Sequence, residues 1–301
     1  MPDSAARSRR GPVRAAVAAL TAALVVAGTA ACDDKEAGGA GGSAAKPTPK
    51  PTPTSAWNTR PASLASLGDS ITRGFNACSP LSDCPEASWA TGTAVDSLAR
   101  RLLPSPAGKS WNYAKSGARM ADLPGQLAQA LPREPELVTV EMGANDACRA
   151  DVAAMTSVDQ YRADFTAALK NLRRSLPKTQ VYVASVPDLK RLWAEGRADP
   201  LGKQVWKLAR ICPSMLGDAD AVDAASTARR GQVEQRVAAY NAVLKEVCGK
   251  DPLCRYDGAV NDFRFTGAEL SQWDWFHPSK EGQRELAAMA YRKITEREPA
   301  A

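Results

Sequence analysis

Ala62-Ser63-Leu64-Ala65-Ser66-Leu67-Gly68-Asp69-Ser70-Ile71-Thr72-Arg73-Gly74 is the stretch whose reading decides the fold. The apolar run from Leu64 to Leu67 reads as a buried strand. Gly68-Asp69-Ser70 then breaks it. Gly68 lets the backbone turn sharply, and Thr72 is placed to cap a following helix. A serine at the exit of a buried strand stands on the carboxyl edge of the sheet, where open α/β folds hold ligands. Its hydroxyl is a weak nucleophile until a base takes its proton. Read alone, the tripeptide fits an ordinary strand-turn-helix with a capping serine equally well, so its meaning depends on the rest of the chain.

Downstream, strands alternate with helices. Ser110–Ala114, Glu136–Met142, Thr179–Val186 and Cys254–Asp257 read as strands. Val95–Leu103 and Leu123–Leu131 read as helices. So do the segments carrying Val158, Tyr161, Phe165, Leu169, Leu172 and Leu176, and Val233, Val237, Tyr240, Leu244 and Val247, whose apolar residues recur at helical spacing. Ser279 is placed to cap a closing helix. Residues 189–216 look irregular and read as an insertion over the site. The alternation argues a parallel sheet covered on both faces, with right-handed crossovers.

Three strand exits carry the same small-residue break: Gly68-Asp69-Ser70, Ser116-Gly117-Ala118 and Gly143-Ala144-Asn145-Asp146. In a parallel sheet these lie along one edge. Together they offer a hydroxyl from Ser70, a backbone N–H from Gly117 and a side-chain amide from Asn145. Acyl transfer needs this set: a nucleophile, and donors aimed where the tetrahedral oxyanion forms. The base must come from elsewhere, and His277 is the single histidine of the chain. Asp274, three residues earlier, is placed to accept from its Nδ1–H and fix the tautomer. Each residue also has a plainer role open to it: turn formation for Asn145 and Gly117, packing or surface exposure for His277, solvation for Asp274.

The remaining features bear on location. Arg7, Arg9, Arg10 and Arg14 precede the uncharged, alanine-rich stretch Ala15–Ala31. With Thr29-Ala30-Ala31 before a cut, residues 1–31 read as a secretory signal; the apolar stretch Ala15–Ala31 is shorter than the ~20 residues a spanning helix prefers. Cys32 at the cut points to a bacterial lipoprotein with Cys32 as the lipidated first residue. Thr29 stands where a larger aliphatic residue is usual, so simple secretion and an uncleaved anchor stay open. Residues 32–60, rich in Gly and Ala and then in Pro and Thr, cannot bury enough apolar surface to fold and read as an extended tether. Residues 61–298 remain as one domain.

Net charge is +6, and residues 1–50 hold seven Lys and Arg against four Asp and Glu, so half of the excess lies outside the domain. The rest is too mild to argue for nucleic acid. Setting Cys32 aside leaves six cysteines, with no Cys-x-x-Cys and one histidine in the chain, a poor zinc set. Disulfides in an oxidising compartment fit better. Of the possible pairings we expect Cys78–Cys84 and Cys248–Cys254 as local staples and Cys148–Cys212 as the remainder, with free buried thiols as the alternative.

Gly68-Asp69-Ser70-Ile71, the segment around Gly117, Gly143-Ala144-Asn145-Asp146 and Asp274-Trp275-Phe276-His277 resemble the ordered blocks of the SGNH (GDSL-type) hydrolases. The resemblance spans residues 64–292. It implies a three-layer α/β/α sandwich with a flavodoxin-like parallel sheet of about five strands. It implies Ser70 as nucleophile, His277 as base and Asp274 as orienting acid, with the Ser70 N–H, Gly117 N–H and Asn145 Nδ2 as oxyanion hole. Some secreted members use a backbone carbonyl in place of the acid. Ser88-Trp89-Ala90-Thr91-Gly92, Asn112–Ala118 and Phe276-His277-Pro278-Ser279 look like the phospholipase B branch.

The implied protein is an exported serine esterase or lipase acting on acyl or phospholipid esters. It needs no cofactor or metal, is expected to be a monomer, and is held at the membrane by an N-terminal lipid or secreted. A carbohydrate O-acetyl esterase is the alternative within the class. A tethered binding module without catalysis is the alternative outside it. Trp89, Trp193, Trp206, Trp273 and Trp275 are candidates for an acyl groove or lipid-facing rim, with core packing equally open.

Overall fold

The computed structural model describes residues 57–297. The signal-like stretch, Cys32 and nearly all of the tether lie outside the described residues. Trp57, at the tether's end, belongs to the folded part: its indole N–H donates to the Ile294 carbonyl at 2.8 Å.

Five parallel strands form the sheet: β1 (Leu64–Gly68), β2 (Ser110–Asn112), β3 (Leu137–Glu141), β4 (Gln180–Ala184) and β5 (Cys254–Asp257), in the order β2-β1-β3-β4-β5. Every residue of β1, β3 and β4 is buried, as strands covered on both faces must be. Where polar residues enter this interior they pair across strands. Thr139 and Ser66 stand in register, and the Thr139 hydroxyl donates to Ser66 Oγ at 3.0 Å. The chain leaves β1 in one direction to β2 and returns past it to β3. The strand order therefore reverses between β1 and β3, and the crevice beyond their carboxyl ends is where such sheets take ligands.

Ten α-helices and three short 3-10 helices complete the described fold; the α-helices are α1 (Leu98–Leu102), α2 (Leu123–Ala130), α3 (Ala144–Ala147), α4 (Val158–Ser175), α5 (Leu189–Gly196), α6 (Pro200–Leu208), α7 (Pro213–Leu216), α8 (Ala224–Cys248), α9 (Ala259–Asp262) and α10 (Lys280–Thr295). Helices α2, α4 and α8 pack together on one face, and α1 and α10 pack on the other. The helical spacing of α4 is realised as a buried stripe of Tyr161, Phe165, Ala168, Leu169 and Leu172, and Ser157 caps it by accepting from Gln160 N. The result is the expected α/β/α sandwich on a five-stranded parallel sheet.

The structure departs from the sequence reading in three places. Thr72 caps no helix: residues after Ser70 run as turns, and the Thr72 hydroxyl instead accepts from the Trp89 indole N–H at 3.1 Å. The Val95–Leu103 helix is only Leu98–Leu102. The 189–216 segment is regular, holding α5, α6 and α7. Its starts were chemically marked: Asp188 accepts from Lys190 and Arg191 N–H, Asp199 from Gly202 N–H, and Pro200 and Pro213 stand at first helical positions.

Disulfides join Cys78 to Cys84, Cys148 to Cys212 and Cys248 to Cys254. The second, across 64 positions, ties the end of α3 to the start of α7. Among the described residues no helix is long and apolar enough to cross a membrane.

Candidate active site

Ser70 leaves β1 in a turn held from three sides. A Cβ on Gly68 would come within 2.5 Å of Thr72 Oγ1 and 2.6 Å of the Glu141 carbonyl, so only glycine fits. The Gln126 amide, from α2, clamps the Gly68 backbone with two 2.8 Å bonds, accepting from its N–H and donating to its carbonyl. From α10, the Gln283 amide donates to the Ile71 carbonyl and accepts from Trp89 N–H. Both glutamines are buried, and the turn cannot shift without breaking these bonds.

His277 reaches the same spot from a loop before α10. That loop is closed where Ser271 N–H donates to the His277 carbonyl and Leu270 bridges Pro278. Ser279 then caps α10, accepting from the N–H groups of Glu281 and Gly282. Ser70 Oγ lies 2.9 Å from His277 Nε2, although the two residues are 207 positions apart. On the other side of the ring, His277 Nδ1 is 2.6 Å from Asp274 Oδ2. The Phe75 ring packs tilted against the imidazole, centroids 4.9 Å apart.

Asp274 is 0 % exposed. Burial works to raise its carboxyl. The His277 charge and the bonds it accepts from the His277 ring, the His277 backbone and Asn76 outweigh that and hold it below its ordinary value. Asn76 Nδ2 donates to Asp274 Oδ2 at 2.6 Å, and the Trp206 indole N–H donates to the Asp274 carbonyl at 2.5 Å. Asn76 sits at φ 59°, a left-handed conformation that asparagine tolerates. The motif reading missed both partners. A trace of Asn76 was present: an asparagine in a turn two residues before Cys78 and its short disulfide.

Gly117 follows β2 at φ +81°, with open space where a side chain would stand. Neither its N–H nor that of Ser70 meets an acceptor among the described residues. Asn145 lies in α3, beyond β3. Its Nδ2 donates to the Ala118 carbonyl at 3.0 Å and, more weakly, to Asp69 Oδ2 at 3.3 Å. Ser70, Gly117, Asn145 and His277 line one cleft of ≈ 270 Å³, walled by Leu189, Leu192, Ile211 and the Cys148–Cys212 pair.

A buried acidic group lies beneath. Burial raises Asp69 to about 6, opposed by the Ile71 N–H it accepts from. Burial, then the Asp69 charge, pushes Glu141 well above the usual carboxylate range. The register that places Gly68 opposite Glu141 brings the two acids together. Asp146 is also raised to about 6 by burial.

None of the five tryptophans singled out in the sequence lines this cleft. Trp89 and Trp206 are core residues that donate to Thr72 and Asp274. Trp193 lies beneath the guanidinium groups of Arg197 and Arg230. The one cluster of metal-ligand types among the described residues, Cys78, Cys84 and Glu86, contains two sulfurs already bonded to each other.

A five-stranded parallel sheet in an α/β/α sandwich with these strand-end groups matches a hydrolase acting on ester bonds. The family described as GDSL-like Lipase/Acylhydrolase matches residues 64–289, and the chain belongs to it. No curated protein matches the chain. An acetylxylan esterase from Geobacillus stearothermophilus is similar at 18 % identity, over 78 % of this chain and 95 % of that one, TM-score 0.48. An extracellular lipase from Streptomyces rimosus is similar at 19 %, over 78 % and 100 %, TM-score 0.47. An alpha/beta hydrolase from the metagenome of Lake Arreo, Spain, is similar at 15 %, over 80 % and 99 %, TM-score 0.49.

Proposed function

We propose that the protein is an exported serine esterase that hydrolyses acyl or phospholipid esters through Ser70, His277 and Asp274. The observation carrying this reading is the continuous chain of bonds from Ser70 Oγ through the imidazole to the buried Asp274 carboxylate. His277 Nε2 takes the Ser70 proton as Oγ bonds to the ester carbonyl carbon. The carbonyl oxygen, now anionic, is received by the Ser70 and Gly117 N–H groups and by Asn145 Nδ2, whose 3.3 Å bond to Asp69 is the one that yields. The imidazolium returns its proton to the departing alkoxide. Water then attacks the acyl-enzyme by the same route, releasing the acid and restoring Ser70. Asp274 stays ionised throughout, holding the ring in the tautomer that presents a bare Nε2.

The aliphatic wall of Leu189, Leu192 and Ile211 supports an acyl group as the part of substrate it faces. Residues 1–31 are proposed as signal, Cys32 as a lipid attachment point, 32–60 as tether and 61–298 as the hydrolase, on the sequence features given above. The phospholipase B-like strings support a lipid ester. The small volume of the cleft favours a second reading, an O-acetyl esterase. Hydrolysis of p-nitrophenyl esters from acetate to palmitate, with the Ser70→Ala chain as blank, tests both. Turnover of medium or long acyl chains, absent from the blank, supports the first. Turnover of acetate alone supports the second, and equal turnover by the blank overturns the serine mechanism.

A further inference from the structure

Large apolar side chains left in solvent are few here, and their placement is not scattered. Among the described residues they are Leu81, Leu201, Leu208, Val222 and Trp273. Leu81 lies in the loop that follows β1. Leu201, Leu208 and Val222 lie between β4 and α8. Trp273 is in the loop that delivers His277. All five therefore sit on segments at the carboxyl edge of the sheet, around the Ser70 cleft, and none on the covering helices α1, α2, α4, α8 and α10. Single exposed leucines need no explanation, but a set confined to the segments at one edge of the sheet marks a surface that meets something apolar.

Helix α6 shows that the exposure is built in. Leu201 and Leu208, seven residues apart, share one face and are 68 % and 84 % exposed. Trp206 is on the opposite side, buried and bonded to the Asp274 carbonyl. The helix is thus pinned through its inward side with its leucines held outward. The charges complement this. Within 200–222 the two carboxylates, Asp218 and Asp220, are paired with Arg229 and Lys203. Lys207 and Arg210 are exposed and have no ion-pair partner among the described residues. Arg210 and Ile211 also line the cleft, and on their other side a hollow of ≈ 510 Å³ against α7. Whatever covers α6 therefore meets the mouth of the cleft.

We infer that the α6 face, with Leu201 and Leu208 at its centre and Lys207 and Arg210 beside them, docks the cleft onto an anionic phospholipid bilayer. Leucines enter the headgroup–acyl boundary while the two cations meet lipid phosphates. The 25 residues from Cys32 to Trp57, extended, span on the order of 75 Å, enough for this face to reach the bilayer to which an anchor at Cys32 would hold the chain. The docking itself does not depend on the reading of Ser70 as nucleophile.

The test uses the full chain with Cys32→Ser, to exclude a lipid anchor, and Ser70→Ala, to spare the vesicles. An environment-sensitive fluorophore is attached at Leu208→Cys or, as control, at Ser175→Cys at the far end of α4. With vesicles of equimolar phosphatidylcholine and phosphatidylglycerol, the label at 208 should shift to the blue and the label at 175 should not. Leu201→Ser with Leu208→Ser should weaken co-sedimentation about tenfold or more. No shift at 208, equal shifts at both positions, or unchanged co-sedimentation of the double variant would each overturn the inference. In the Ser70-intact chain the double variant should lose turnover of an ester held in these vesicles while keeping that of a soluble short-chain ester. Absence of all ester turnover would count against the proposed function, and the binding arm would still decide the docking.

Discussion

The floor of the cleft, at the exits of β1, β2 and β3, and its wall, helices α5 to α7, are held by different forces. On the floor, Ser70, Asp69, Glu141 and Asp146 are buried, and side-chain amides from two covering helices clamp the turn. The wall is held by aliphatic packing, by a disulfide and by the Trp206 bond, and it presents leucines and cations to solvent. A hydrogen-bonded floor admits one geometry, which is what proton transfer and an oxyanion require. A wall built from non-directional contacts fixes no single geometry and so is where substrate selection and surface attachment can vary. Substitutions on the floor should therefore cut turnover with little change in folding, and substitutions in the wall should do the reverse.

The sharpest break would come from Ser70→Ala or His277→Ala. Either should lower kcat by about 10⁴-fold or more with an unchanged melting curve. Asn145→Ala should lower kcat by about 10²–10³-fold, with KM little affected, because its amide is needed when the oxyanion forms. In the wall, replacing Cys148 and Cys212 together by alanine opens a long loop. It should cost about 2–4 kcal/mol of stability in denaturant titration and change the ratio of long-chain to short-chain turnover more than kcat on acetate.

The smallest effect is one of pH. Glu141, Asp69 and Asp146 hold protons in the folded chain at pH values where the unfolded chain has lost them. The folded state binds more protons in that window, so stability falls as pH rises from about 4 through about 6 and on toward the raised value of Glu141. Glu141→Gln keeps a neutral side chain of similar size beside Asp69 and removes one of these groups. Its melting temperature should fall less steeply across that range. An identical slope would mean that Glu141 is not protonated there.

Much of the floor was legible in the sequence because its demands are local. A buried run ending in Gly68-Asp69-Ser70, small residues at Gly117 and Gly143, and a lone histidine before a capped helix each leave a mark within a few positions. The alternation of strands and helices pointed to a parallel sheet covered on both faces, but the strand order and the meeting of Ser70 with His277 across 207 positions are set by the fold. What the sequence did not disclose depends on distant packing. Gln126 and Gln283 look like surface helix residues until α2 and α10 dock on the turn. Trp206 stands open between groove lining and core packing until α6 folds back on Asp274. Thr72 carries every sign of a helix cap, yet its hydroxyl is claimed by Trp89. The regularity of 189–216 was available in Asp188, Asp199 and the two prolines, and was masked by the weak apolar periodicity of such short helices.

Ester hydrolysis as proposed requires a Ser70 hydroxyl activated by His277, and active-site labelling reads this directly. A fluorophosphonate probe, with the modified peptide located by mass spectrometry, should attach to Ser70 in the native chain. It should attach far more slowly in His277→Ala and to no serine in Ser70→Ala. Labelling of Ser70→Ala at the native rate, or a folded native chain that resists the probe, would contradict it.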